Sequence, residues 1–333
     1  MSSKHILIIG TGSVGKRHAR NLSSLGCTIS CIDPRQDRLD EAAQEITTLQ
    51  EGYTSLEEAF AGGRRFDAVA VTSPPSFHIG QAVAALDKRI PVLLEKPVSP
   101  DLKSAQTLQK AVHASGIPLL LGYTWRWWPS LAKVRELLAQ QIVGRLRYVK
   151  FIMSAQLADW HPWERYQDFF MASKTLGGGA LLDESHWLDL MVWLFGMPQK
   201  LYAKVEKISD LQIKTDDNVD ILCQYPENMR VYLHLDLYGR PHEKSIQFIG
   251  EKGTMIWEPE RIRIGHGMEP EWQIENFSHD RNDMFLSVAR EFLDVLGGRP
   301  VTTCNIDDGI RVLTLVEAAR CSSSEEKTIS IET

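Results

Sequence analysis

The run Lys4-His5-Ile6-Leu7-Ile8-Ile9-Gly10-Thr11-Gly12-Ser13-Val14-Gly15 constrains this chain more than any other feature. An apolar stretch of strand length runs into three spaced glycines, and a helical pattern follows them. Such a turn lets the backbone approach a pyrophosphate and aims the free amides of a helix N-terminus at it. Asp33 closes the next apolar run, eighteen residues after Gly15, where a carboxylate accepts hydrogen bonds from ribose hydroxyls. Gly10, Gly12, Ser13, Val14, Gly15 and Asp33 are therefore the expected dinucleotide contacts. Asp33 favours NAD, because a carboxylate repels a 2′-phosphate. Arg35 and Arg38 leave NADP as the less favoured alternative, since either guanidinium would neutralise that phosphate unless both are solvated loop charges.

The pattern predicts strands at 5–9, 28–32, 49–53, 67–72, 91–94 and 118–121. Helices are predicted over Val14–Leu25, Ser55–Phe60, Ser76–Leu86 and Leu102–His113. Ser, Thr, Asp or Pro stands at the start of each helix, and Gly26, Gly62-Gly63 and Gly116 stand where helices should stop. Short apolar strands alternating with helices make a parallel sheet covered on both faces, so residues 1–122 read as a Rossmann domain.

Beyond Trp125-Arg126-Trp127-Trp128-Pro129 the character changes. A helix from Ser130 to Gln140, a strand from Leu146 to Leu157, a helix over Leu182–Phe195 and a series of strands from Gln199 to Ile274 are expected. Two helices, Met284–Leu296 and Asp308–Ser322, and a short strand Thr328–Ile331 close the chain. The predicted class is α/β, with residues 123–333 forming a second, α+β domain built on a mostly antiparallel sheet.

With 333 residues and a net charge of −6, the chain has material for two cores and no Lys/Arg block longer than two, which excludes a nucleic-acid footprint. No run approaches the roughly 20 apolar residues of a membrane span, and the first apolar run reads as a strand, so a cytoplasmic protein is expected. Five scattered cysteines without a CxxC pair indicate neither a disulfide framework nor a thiolate zinc site. The histidines lack metal-ligand spacing, and no metal is expected.

Two further motifs end strands on the edge where ligands bind. Thr72-Ser73-Pro74-Pro75-Ser76-Phe77-His78 adds Thr72, Ser73, Pro74 and His78 to the candidate cofactor residues, with a Pro-stiffened helix start as the structural alternative. Glu95-Lys96-Pro97 adds Glu95 and Lys96. With the GTGSVGKRH start, the Gly122-Tyr123-Thr124-Trp125-Arg126 segment and GGGALLDESHWLD at 177–189, the chain resembles the glucose-fructose oxidoreductase, inositol dehydrogenase and MocA family (Gfo/Idh/MocA) nearly end to end.

That resemblance implies a hydride-transferring enzyme, often paired through its C-terminal sheet as a homodimer or homotetramer. It assigns Lys96 to hydrogen bonds with the reacting oxygen and the cofactor, His186 to general base and Asp183 to the substrate or the proton path. An imidazole suits proton exchange at neutral pH, and an ammonium favours a developing alkoxide. Asp183 stands three residues before His186, where the family commonly has four, so its carboxylate has helix capping as its alternative role.

Tyr123 and Arg126 resemble substrate-facing positions. Trp163 and Arg165 belong to a polar, aromatic loop that shapes either the substrate site or a subunit contact. The expected reaction is NAD(P)-dependent oxidation or reduction at a secondary hydroxyl or keto carbon of a sugar, cyclitol or sugar derivative, nucleotide sugars included. The alternatives are a glycosidase that oxidises a sugar transiently with bound NAD, and a non-catalytic cofactor-sensing regulator.

Overall fold

In the computed structural model, which describes residues 3–160, 165–268 and 271–331, the chain opens as a strict alternation. Its elements are β1 (His5–Ile9), α1 (Ser13–Ser24), β2 (Thr28–Ile32), α2 (Gln36–Glu45), β3 (Leu49–Tyr53), α3 (Leu56–Ala61), β4 (Ala68–Val71), α4 (Pro75–Asp87), β5 (Val92–Glu95), α5 (Leu102–Ser115) and β6 (Leu119–Gly122). The strands form one sheet in the order β3-β2-β1-β4-β5-β6, with every pair parallel. Ile6, Leu7, Ile8, Val69, Ala70 and Leu93 are fully buried. That is why these strands read as unbroken apolar runs and not as alternations.

Local chemistry sets the helix ends. The Ser55 hydroxyl accepts from Glu58 N at 3.1 Å, while the Glu58 carboxylate accepts from Thr54 N at 2.8 Å, a reciprocal cap for α3. The Asp101 carboxylate accepts from Ser104 N at 2.8 Å at the start of α5, and Gly116 ends that helix with φ +64°. Helix α2 has no counterpart in the sequence reading. Its buried stripe is only Leu39 and Ala42, too thin a period to stand out among charged neighbours.

The remaining elements are α6 (Pro129–Ala139), β7 (Leu146–Ser154), α7 (Ala180–Asp183), α8 (His186–Phe195), β8 (Lys200–Glu206), β9 (Asn218–Gln224), β10 (Arg230–Asp236), β11 (Glu243–Gly250), β12 (Gly253–Glu258), β13 (Arg261–His266), β14 (Gln273–Asn276), α9 (Arg281–Leu296), α10 (Ile306–Glu325) and β15 (Ile329–Ser330). A second sheet runs β14-β13-β12-β11-β7-β10-β9-β8-β15, antiparallel except between β7 and β10. Val149, Phe151 and Met153 of β7 are buried while Tyr148, Lys150 and Ile152 between them are half-exposed. This period of two marks one face packed and one face open to solvent. The outer face carries the exposed Tyr202 and Leu222 and a hydrogen-bonded cluster. In that cluster Asp220 Oδ1 accepts from the Tyr232 hydroxyl at 2.6 Å and lies 2.8 Å from His234 Nδ1.

The chain divides into two compact units, one formed by residues up to Trp127 with Arg281–Ile310, the other by Trp128–Asp280 with residues from Arg311 onward. The expected division at residue 122 assigned α9 to the second domain. Instead α9 packs on α1, and Val288, Ala289 and Phe292 join Ile6, Ile8, Ala19 and Leu22 in one buried cluster. The amphipathic period of α9 is visible in the sequence, but nothing local says which core it completes. Among the described residues no helix is long and apolar enough to cross a membrane.

Candidate functional site

In the first unit the site is built from the strand ends of the parallel sheet. β1 and β4 are neighbours, and the chain order reverses there, which is where open α/β sheets hold ligands at their carboxyl edge. The glycines have separate reasons. A Cβ on Gly15 would lie 1.9 Å from Gly10 O and 2.6 Å from Thr72 Oγ1, so Gly15 is required by packing alone. Gly10 has φ +93°, and a Cβ there would come within 2.9 Å of the Ser73 backbone. At Gly12 a Cβ would meet only Arg38 Nη1, at 3.9 Å. The turn is therefore closed toward the protein and open at Gly12, the cradle a pyrophosphate fits.

Asp33 sits at the end of β2 and is 3% exposed. Its Oδ2 accepts from Thr11 N and from the Thr11 hydroxyl, both at 2.9 Å, and its Oδ1 accepts from Arg35 N at 3.0 Å. Thr11, absent from the sequence reading of the site, thus fixes the carboxylate. Arg38 Nη1 stands 3.9 Å from Asp33 Oδ2, whereas the Arg35 guanidinium pairs with Asp37. Of the two arginines, only Arg38 turns its charge toward this corner.

The Thr72 hydroxyl donates to Gly10 O at 2.7 Å, and the Ser73 hydroxyl donates to Gln81 Oε1 at 2.6 Å. Both side chains hold the loop, and Pro74 and Pro75 start α4. His78 is 1% exposed, its two ring nitrogens each 2.8 Å from a carbonyl oxygen, Nδ1 from Pro97 O and Nε2 from Ser73 O. Burial draws its proton affinity below the ordinary histidine value, although both carbonyls and Glu95 pull the other way. Its ring is engaged with the backbone of two loops, not aimed outward.

Glu95 ends β5, is 8% exposed and lies 2.7 Å from His18 Nε2 through Oε1. Gly122 makes room for it, since a Cβ there would sit 3.1 Å from Glu95 Oε1. His18 is the second residue the sequence reading missed. Its signal was its place one turn beyond Gly15 on α1, on the face turned toward the sheet. Lys96 follows, half-buried, at the same edge. Tyr123 is fully buried. Arg126 is 6% exposed, its Nη1 donating to Thr303 O at 2.7 Å and lying 3.2 Å from Asp308 Oδ2. Arg126 thus ties its own segment to the stretch 303–308.

The second unit carries the other candidates. The helix expected over 182–195 is two helices, broken at Glu184 and Ser185, where the Glu184 carboxylate accepts from the Trp187 indole at 3.1 Å. Asp183 closes α7 and His186 opens α8, so the two stand on separate helices. Capping α7 falls to Asp216, whose Oδ2 accepts from Leu181 N at 2.8 Å. Burial raises the Asp216 carboxyl above its ordinary range. Gly179, with φ +114°, admits it, for a Cβ would lie 2.3 Å from Asp216 Oδ1. Asp183 is buried and His186 half-buried, while Arg165 is exposed. Trp163 lies outside the described residues. Among those residues no group of three or more His, Cys, Asp or Glu is placed to hold a metal ion.

Two family models match the chain. Residues 4–123 match the oxidoreductase family with an NAD-binding Rossmann fold, and residues 131–256 match the Gfo/Idh/MocA C-terminal domain. The chain belongs to the Gfo/Idh/MocA family. Within the family, an uncharacterised oxidoreductase of Synechocystis is 31% identical over 246 residues, 66% of this chain and 63% of that protein. A myo-inositol dehydrogenase of Streptomyces leeuwenhoekii is 29% identical over 192 residues, 57% of this chain and 55% of that protein. The match thus spans a little over half the length of these two relatives. A levoglucosan dehydrogenase solved with NADH and L-sorbose superposes with a TM-score of 0.87, covering all of both chains at 14% identity, which shows a shared fold.

Proposed function

We propose that the chain is an NAD-dependent dehydrogenase acting on a secondary hydroxyl of a sugar, cyclitol or related polyol. The observation that carries this reading is the position of Lys96, directly after β5 on the sheet edge that also holds the glycine turn and Asp33. The relatives' names support the substrate class, since myo-inositol and levoglucosan are both polyhydroxylated rings.

Gly10, Gly12, Gly15 and the first turn of α1 would hold the pyrophosphate, with Ser13 and Val14 exposed beside it, and Asp33 would accept from the adenosine ribose. When bound, the nicotinamide supplies the hydride acceptor or donor. The Lys96 ammonium then hydrogen-bonds the reacting oxygen and favours the negative charge that develops on it. An imidazole nitrogen of His186 takes the hydroxyl proton, with Asp183 supporting the substrate or the proton path. Arg165 and Trp163 complete the proposed substrate contacts, while Tyr123 and Arg126 act from within the protein.

The same reading includes a cytoplasmic setting and a homodimer or homotetramer formed through the outer face of the nine-stranded sheet. The test is a panel of polyols, aldoses and nucleotide sugars with NAD+ and with NADP+, following reduced nicotinamide by absorbance. Turnover of a polyol or sugar, lost in Lys96→Met and His186→Asn while NAD+ still binds, is the expected result. A panel without turnover, or variants as active as the native chain, overturns it.

A further inference from the structure

His78 lies in the first turn of α4 and is only 1% exposed. It stands between two loops that come from different strands. Nε2 faces Ser73 O, in the loop that follows β4 and carries the Thr72 hydroxyl bonded to Gly10 O. Nδ1 faces Pro97 O, in the Glu95-Lys96-Pro97 corner that follows β5. Both partners are acceptors only, and both distances are 2.8 Å. A neutral imidazole has one N–H and serves one carbonyl at a time, whereas an imidazolium serves both.

The corner is held from a second side by His18. Its Nε2 meets Glu95 Oε1, and its Nδ1 is buried without a hydrogen-bond partner. The ring edge of Phe285 closes on it at a centroid distance of 5.5 Å. Glu95 Oε2 in turn faces Lys96 N at 3.3 Å. The Glu95–Pro97 corner is thus held by two buried rings, His18 from α1 and His78 from α4.

We propose that His78 is a positioning residue that ties the Thr72–Pro75 loop to the Glu95–Pro97 corner, so that the dinucleotide cradle and Lys96 keep a fixed spacing. The proposal rests on the dinucleotide reading of this sheet edge. Its exchange and affinity readouts do not need Lys96 to be catalytic; only the kcat readout does.

Two substitutions separate the arms of the strap. The side-chain amide of His78→Asn places a donor near the Nδ1 position, and that of His78→Gln places one near Nε2. Asn therefore offers its donor to Pro97 O alone, and Gln to Ser73 O alone, whereas the imidazole can turn its N–H to either. Hydrogen exchange read by mass spectrometry should show faster exchange at residues 72–77 in His78→Asn and at 96–99 in His78→Gln, with the rest of the first unit unchanged. NAD+ affinity, measured by calorimetry, should fall by about tenfold in His78→Asn, the worth of about one hydrogen bond, and stay within about threefold in His78→Gln. Where a substrate is in hand, His78→Gln should lower kcat at unchanged KM for NAD+.

A merely structural histidine would move both loops, and both constants, in the same direction for either variant, and that outcome overturns the proposal. If one variant fails to fold, the other still reads its own arm. A native chain that binds no NAD+ removes the nucleotide reading and the strap with it. NAD+ binding with no crossed exchange pattern removes the strap alone.

Discussion

Thr11 donates both its backbone N–H and its hydroxyl to one oxygen of Asp33, Oδ2, each at 2.9 Å. The carboxylate is thereby fixed on one side, and Oδ1 keeps a lone pair beyond the one given to Arg35 N. A ribose hydroxyl bonded there gains a charge-assisted hydrogen bond without the cost of ordering the acceptor.

Replacing Asp33 by Asn should weaken NAD+ binding by about 10- to 100-fold, the value of about 1.5–3 kcal/mol for a hydrogen bond to a charged group. With the repulsion gone and Arg38 close by, NADP+ should gain relative to NAD+. Parallel calorimetric titrations with the two dinucleotides check this. An unchanged ratio of affinities would place the adenosine ribose elsewhere.

The glycines should separate under substitution by Ala. At Gly15 the added methyl meets Gly10 O, and overpacking against backbone should cost about 1–3 kcal/mol, seen as a lower Tm. At Gly12 space is free, so Tm should hold while NAD+ affinity drops. Equal losses of stability at both positions would contradict the division into a packing glycine and an approach glycine.

Arg126→Met removes a guanidinium whose side chain is 3% exposed and takes one partner from the Asp308 carboxylate, which is 15% exposed and still accepts from Asn305 N. A loss of about 1–3 kcal/mol is expected in denaturant unfolding. If Arg126 acts from inside the protein, the folded fraction at low temperature should keep its KM for substrate. A large KM change in a fully folded variant would return it to the substrate surface.

His234 provides a pH signature on the outer face of the second sheet. Its hydrogen bond to Asp236 raises its pKa above 6.5, opposed by burial and aided by Asp220. The folded state therefore binds the proton more tightly than the unfolded chain. The contribution is complete below the unfolded value near pH 6.5 and disappears as pH rises through the raised folded value. Tm should decline over that range in the native chain, and His234→Gln should flatten the decline. Asp220 and Asp236 are held below the ordinary carboxylate value by Tyr232, His234, Asn218 and Ser154 contacts that outweigh their desolvation. They add a second loss of stability at the acid end, as pH falls through their lowered values.

The nucleotide turn and both sheets were legible because their signals are local. A buried strand, three glycines and a carboxylate at the end of the following strand specify one geometry. Thr11 and His18 escaped notice because their roles depend on partners 22 and 77 residues away. Arg126 meets Thr303 O, 177 residues away, and Asp308 beyond it, a pairing that no local pattern announces. The break at Glu184 was hidden for the same reason. The periodicity of Leu182–Phe195 is continuous, and only the distant Asp216 capping α7 and the Glu184 contact with Trp187 divide it.

The return of Arg281–Ile310 to the first unit has a consequence for biogenesis. Phe292 and Val288 complete a core whose other members were synthesised more than 150 residues earlier, near the chain start. At the ~5–20 residues per second of translation, the nascent sheet waits for its closing helix until the whole of Trp128–Asp280 has been made. A ribosome-bound intermediate therefore presents greasy surface around α1 throughout elongation, and a truncated chain ending at Trp127 would inherit that surface permanently.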